Sequence, residues 1–159
     1  MQTENVVNHI VNWLKDYATK AKVNGFVVGI SGGIDSAVTS TLCAKTGLDV
    51  LCIEMPIHQA PSHVTRAQEH IAHLKRQFPN VKDTVVNLTP VFEAFKTEVN
   101  LDGKQTTVDM ALANTRARLR MTTLYYHAGL LGLLVAGTGN KVEDFGVGFY
   151  TKYGDGGVD

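Results

Sequence analysis

Two cysteines in 159 residues are too few to form a disulfide framework. Cys43 and Cys52 sit in apolar stretches, within an expected helix and an expected strand, and are read as reduced, buried thiols of a cytoplasmic protein. Excess charge is also missing: Lys plus Arg equals Asp plus Glu at 15 each, so no overall field draws the chain to nucleic acid or anionic lipid. No apolar run approaches the ~18 residues that argue for a membrane span. Met1 to Asn8 lack the basic-then-apolar order of a secretory leader, and there is neither an internal repeat nor a low-complexity linker. What is present, 44% hydrophobic and 19% charged residues, is the composition of one globular domain with a full core. The chain is too short for two ordinary domains.

Apolar spacing supplies the elements. Val6, Val7, Ile10, Val11, Leu14, Tyr17 and Ala18 recur at helical intervals and predict a first helix ending near Lys22; Trp13 is read as a packing or edge residue. Phe26 to Ile30 is the short branched run of a strand covered on both faces. A helix from Ser36 through Ala44 follows, with Gly47 as its C-terminal cap. Val50 to Ile53 predicts the next strand, stopped by Pro56. Ala67, Ile71, Leu74 and Phe78 mark a helix that Ser62 could cap. A third strand is expected over Val81 to Leu88, a short helix from Pro90 to Phe95, a polar loop from Asn100 to Lys104 and a long helix over residues 109 to 128. Leu131 to Ala136 completes the series as a fourth strand. This alternation predicts an α/β fold, an open parallel sheet with helices on both faces. After Ala136 come Gly137, Gly139, Gly146, Gly148, Gly154, Gly156 and Gly157, a segment costly to order and expected to be fixed by a ligand or partner.

Ser31-Gly32-Gly33-Ile34-Asp35-Ser36 carries the chemistry. Phosphate oxygens need donors converging from one side, and consecutive backbone amides in a glycine turn provide them. Ser31 and Ser36 add hydroxyls, and the helix that follows turns its positive end to the anion. Asp35 is placed to coordinate Mg²⁺ against phosphate, since that cation takes oxygen ligands. The plainer reading is a tight strand-to-helix turn with Asp35 as a cap. The Walker lysine is absent, and Gly29 and Gly32 do not have the dinucleotide spacing. A loop of this kind suits cleavage between the α and β phosphates as well as between β and γ.

The loop resembles the pyrophosphate-binding loop of the ATP pyrophosphatase superfamily. Asn114 to Met121, Gly137 to Glu143 and Phe149 to Gly157, in that order, are similar to segments of the ammonia-dependent NAD synthetase family. The resemblance implies a Rossmann-like ATP pyrophosphatase domain over residues 1–159, corresponding to the N-terminal two thirds of such enzymes and C-terminally incomplete. It implies ATP, deamido-NAD and ammonia as substrates, an acyl adenylate intermediate, Mg²⁺ as cofactor and a homodimer with shared active sites, and no nucleic acid or membrane partner. By motif match, Ser31, Gly32, Gly33 and Ser36 hold pyrophosphate, Asp35 and Glu143 bind Mg²⁺, and Thr138 contacts ATP. Asp35, Glu143 and Thr138 form the implied catalytic set. Asn114 and Arg118 match deamido-NAD contacts, Asp155 and Asp159 meet deamido-NAD or recognise ammonia, and Met55 lies on the adenine and ribose side.

Some residues depart from the pattern or stand outside it. Glu54 occupies a position where several family members have a basic residue, so it is expected to turn away from phosphate or to bond ribose. Arg116 and Arg120 are expected to be solvent-exposed, rimming a groove or a subunit contact. His63, His70 and His73 follow one side of a helix without the spacing of a zinc motif. His9, His58 and His127 have no evident chemical partner, and Asp102 and Asp109 have no acid–base spacing. Two other functions stay open: a nucleotide-binding fragment inactive alone, and another adenylating ATP pyrophosphatase such as a tRNA thiolase or an amidotransferase.

Overall fold

The computed structural model describes residues 2–59, 61–99, 102–156 and 158–159, and of residues 61–64 only the backbone. Asn100 and Gly157, named above, lie outside the described residues, as do the side chains of Ser62 and His63. The elements run α1 (Thr3–Ala21), β1 (Gly25–Gly29), α2 (Ile34–Lys45), β2 (Asp49–Glu54), α3 (Pro61–Gln77), β3 (Val81–Val85), α4 (Thr89–Glu98), α5 (Gln105–Leu131) and β4 (Leu133–Val135). A π-helical turn over Val142–Val147 follows. All strand pairs are parallel, in the order β3-β2-β1-β4. Register puts Phe26 beside Val50 and Leu134, and Val50 beside Val81.

Alternation along the strands divides the core into two layers. Phe26, Val28, Ile30, Val50 and Cys52 pack with Ala18 of α1, Cys43 and Ala44 of α2, and Ala67, Ile71 and Leu74 of α3. Val27, Leu51, Ile53 and Val135 face the other way, onto Phe92 of α4 and Ala128 of α5. Helices therefore cover both faces, as the apolar runs require. The chain moves from β1 outward through β2 to β3, then returns to place β4 on the other flank of β1. That reversal opens a crevice at the carboxyl ends of β1 and β4, where sheets of this kind bind ligands.

Several boundaries differ from expectation. The long helix begins at Gln105 and runs through Leu131, closing at Gly132 with φ +65°, so Leu131 belongs to the helix and β4 is only three residues long. β3 ends at Val85, although Val86 N–H still donates to Glu54 O and Leu88 N–H to Pro56 O, continuing the path without regular pairing. The π-helical turn has no counterpart in the apolar pattern.

Candidate functional site

β1 leaves the sheet at Ile30, whose N–H donates to Ile53 O at 2.9 Å, and the next residues close on themselves. Gly32 takes φ +81°, which a side chain would resist. Ser36, only 1% exposed, donates from Oγ to Gly33 O at 3.0 Å and accepts from Ser31 N–H at 3.3 Å. With that proton committed, Ser31 Oγ is the donor to Ser36 Oγ at 3.2 Å and itself accepts from Gly33 N–H at 3.2 Å. The first ladder bond of α2 is Ala37 N–H to Gly33 O, so the amides of Ile34, Asp35 and Ser36 precede the ladder. The half-buried Asp35 stands in this first turn. A rigid hydroxyl network thus presents the amide end of a helix to a ligand.

Beside the loop, a cleft of about 270 Å³ is lined by Ser31, Met55, Arg120, Thr138 and Asp155, among others. Gly29 forms part of its floor; a Cβ there would stand 3.1 Å from Met55 Cε and 3.5 Å from Leu124 Cδ1. Gly154 and Asp155, at the end of the Thr151–Asp155 turn, also line the cleft, and that turn is held by α5. Thr151 Oγ1 donates to Asn114 Oδ1 at 2.9 Å, Arg118 Nε to Lys152 O at 3.2 Å, and Thr151 N–H to Asp155 Oδ1 at 2.7 Å. Asn114 and Arg118, one turn apart, therefore anchor the segment that carries Asp155. Asp159 docks on the sheet instead: Oδ2 accepts from Val135 N–H at 2.9 Å and Oδ1 from Tyr125 O–H at 3.3 Å. Met55 is buried, and Thr138 follows β4 at the mouth.

Glu143 lies apart from this group, exposed in the π-helical turn, with its N–H on Asn140 Oδ1 at 3.0 Å. Neither Asp35 nor Glu143 lines the main cleft. Among the described residues, no group of three or more His, Cys, Asp or Glu side chains is gathered for a metal. A second cleft of about 240 Å³ borders the other side of the loop, lined by Gly32, Gly33, Ser36, Arg66 and His70. His70 Nε2 meets Ser40 Oγ at 2.8 Å. Because Ser40 Oγ donates to Ser36 O at 2.7 Å, His70 Nε2 is the donor. Burial, then His73, lowers the His70 pKa below its ordinary 6.5.

Several expectations about polar residues are corrected. Arg120 is half-buried rather than a solvated rim residue: Nε donates to Met55 O at 3.1 Å, and burial, then Arg116, depresses the guanidinium pKa from 12.5. Arg116 stacks over the buried Phe92 ring at 4.6 Å. His58 Nε2 pairs with Glu93 Oε1 at 2.7 Å, and His127 Nδ1 meets Thr123 O at 2.8 Å, so both have partners. No correction applies to Glu54, which is buried; burial, then Asp83, raises its carboxyl pKa. Gln59, Arg66, His70 and Arg120 are cleft residues that spacing did not single out as ligand contacts. Only the i, i+4 placement of Arg116 and Arg120, flanking the face of Asn114 and Arg118, pointed toward Arg120.

Comparison with known proteins adds an independent line. The NAD synthase family model matches residues 6–159. The NH(3)-dependent NAD(+) synthetase of Carboxydothermus hydrogenoformans is 42% identical over 157 residues, covering 98% of this chain and 62% of that protein. The Methanosarcina mazei protein of the same name is 39% identical over 161 residues, covering 100% of this chain and 60% of its own length. Thus the chain spans about three fifths of these curated relatives. Among solved structures, the NMN synthetase of Francisella tularensis superposes with a TM-score of 0.86 at 33% identity, covering 100% of this chain and 63% of that one. The NH3-dependent NAD synthetase of Campylobacter jejuni, in complex with nitrate, also gives 0.86, at 28% identity over 99% of this chain and 65% of that one.

Proposed function

The chain belongs to the NAD synthase family, an enzyme family of carbon–nitrogen ligases, and we propose that it carries out the ATP-dependent amidation of deamido-NAD with ammonia. The carboxylate of the nicotinate ring attacks the α phosphorus of ATP, an oxygen–phosphorus bond forms, and pyrophosphate leaves. Ammonia then attacks the acyl carbon, and AMP departs as the amide forms. No side chain acts as nucleophile. The chain's task is to position two anionic substrates and stabilise the charge they bring together.

One observation carries this reading: a single cleft is lined both by Ser31 of the phosphate loop and by Asp155, on the turn anchored by Asn114 and Arg118. Two ligands held by those residues would meet within it. Ser31, Gly32, Gly33 and Ser36 would hold the pyrophosphate half of ATP, Met55 the nucleoside side and Thr138 a phosphate oxygen. Asn114, Arg118 and Asp155 would serve deamido-NAD. Asp159, tied to Val135 and Tyr125, would shape the cleft floor beneath that substrate.

The donors suit a hard divalent cation, since Mg²⁺ commonly takes one or two carboxylates and fills its shell with water and substrate phosphate. Asp35 and Glu143, which stand outside the main cleft, would each supply one carboxylate with substrate phosphate and water completing the shell, and the bound ion would offset the charge of the substrates. Residues 1–159 act here as one ATP pyrophosphatase domain. The proposal carries with it a cytoplasmic location, supported by the free, buried Cys43 and Cys52. It also carries a homodimer, supported by the exposed apolar side chains of α5 and the glycine-rich segment.

The test is incubation with ATP, Mg²⁺, ammonium and deamido-NAD, following NAD and AMP together. Equimolar appearance of both is expected. Nucleotide binding without either product would refute turnover by this chain and favour the binding-fragment reading. The likeness to the Francisella NMN synthetase supports a second reading in which the mononucleotide is amidated; a parallel reaction with deamido-NMN tells the two apart by which product forms faster.

A further inference from the structure

Arg120 brings a positive charge into the lining of the main cleft, and among the described residues no carboxylate pairs with it. Its charged neighbour is another cation, Arg116. Its Nε is committed to Met55 O, which leaves the four N–H donors of the two terminal nitrogens. Around it, Ile30, Met55, Met121, Leu124 and Val135 line the same cleft and keep the local dielectric low. A cation placed this way is costly unless paired. The same surroundings strengthen its attraction for an incoming anion. Asp155, which lines the same cleft, accepts from Thr151 N–H, and among the described residues it forms no ion pair with Arg120.

We propose that Arg120 is an oxyanion-binding residue of this cleft, its terminal nitrogens holding a phosphate or carboxylate oxygen of a nucleotide substrate. The inference rests on the amidation reading for the identity of the two candidate donors, ATP and deamido-NAD. The charge argument stands without it. The Met55 bond fixes the guanidinium plane, so the fork is preorganised for two oxygens of one group. This is a task a lysine at the same position would perform poorly.

Arg120→Met and Arg120→Gln in the full chain test the inference, with calorimetric affinities for ATP and for deamido-NAD measured separately. Arg120→Met removes charge and donors at similar length, while Arg120→Gln retains an N–H for Met55 O. Both variants are expected to fold with a ligand-free Tm at or above the wild type, because an uncompensated cation is removed. Affinity for one substrate should fall ~10-fold or more, as for loss of a charge-assisted hydrogen bond. Loss confined to ATP assigns the oxyanion to phosphate, and loss confined to deamido-NAD assigns it to that substrate. Wild-type affinity for both in either folded variant overturns the inference, as does failure of the unmodified chain to bind either ligand. Should amidation be absent while ATP affinity still depends on Arg120, the reaction reading falls and this one stands. Should the variants turn over like the wild type with unchanged affinities, the reverse holds.

Discussion

The Ser36 hydroxyl holds the loop together, joining Ser31 N–H, Ser31 Oγ and Gly33 O within a buried space. Ser36→Ala leaves a carbonyl and an amide without that partner, a loss of ~1–3 kcal/mol in denaturant unfolding, and should weaken ATP binding more than deamido-NAD binding. Equal weakening of both ligands would mean that the loop serves no ligand in particular. Glu54 offers a pH test. Its carboxyl pKa is raised above 4.5 by burial and then by Asp83, so the folded chain holds that proton more firmly than the unfolded one. Its contribution is fully present below the unfolded value and is lost as pH rises through the folded value. Glu54→Gln fixes the uncharged form and should therefore raise Tm at pH 7, by roughly 2–4 °C for each kcal/mol recovered, and leave it unchanged near pH 4. The thiols follow the same sign at higher pH. Burial pushes Cys43 and Cys52 up to about 12, with Cys52 and Asp83 respectively adding to it. Stability should decline as pH climbs from about 9, the ordinary thiol value, toward 12. Iodoacetamide at pH 8 should label either cysteine only when the chain is unfolded, and rapid labelling of the native chain would contradict their burial.

The start of β1 makes the sharpest demand on sequence among the elements. A Cβ on Gly25 would lie 1.9 Å from Asp49 O, a backbone atom of the paired strand, at φ +156°. Gly25→Ala must therefore spread β1 from β2, and a cost of about 3 kcal/mol or more in chemical denaturation is expected; a near-neutral result would mean that this register is wrong. The strands themselves were legible because the two faces of β1 and β2 require apolar residues at successive positions, Phe26 to Ile30 and Val50 to Ile53. Their order was not, since nothing local in Leu133–Val135 tells it to join β1 rather than β3. The end of α5 was misplaced because Leu131 reads as the onset of a strand, whereas the left-handed turn at Gly132 keeps it on the helix. The phosphate loop was readable because its network spans six consecutive residues. Arg120 was not, because its partner, Met55 O, lies 65 residues away and only the packing of α5 on the end of β2 brings them together.

At the scale of the whole molecule, the two core layers are well covered by α1, α2 and α3 on one side and by α4 and α5 on the other, yet α5 is far longer than the sheet it packs on. Its last turns leave Tyr126 and Leu130, one helical turn apart on a shared face, 66% and 65% exposed. Phe145 and Phe149 of the glycine-rich segment are exposed as well. These are the apolar side chains that the proposed homodimer would cover. A two-fold pairing would let the same α5 residues of two copies cover each other, because an isologous contact uses one patch twice. Tyr126→Glu combined with Leu130→Glu places two like charges per copy at that contact and touches neither buried layer. Sedimentation equilibrium should then find the unaltered chain as a dimer at micromolar concentration and the double variant as a monomer. The two should have the same helical circular dichroism and a Tm difference that depends on protein concentration, since only the dimer gains stability by mass action. A monomeric wild type at ~100 µM, a concentration at which a stable interface of standard size would be filled, would sink the pairing; an intact dimer in the double variant would move it to another face.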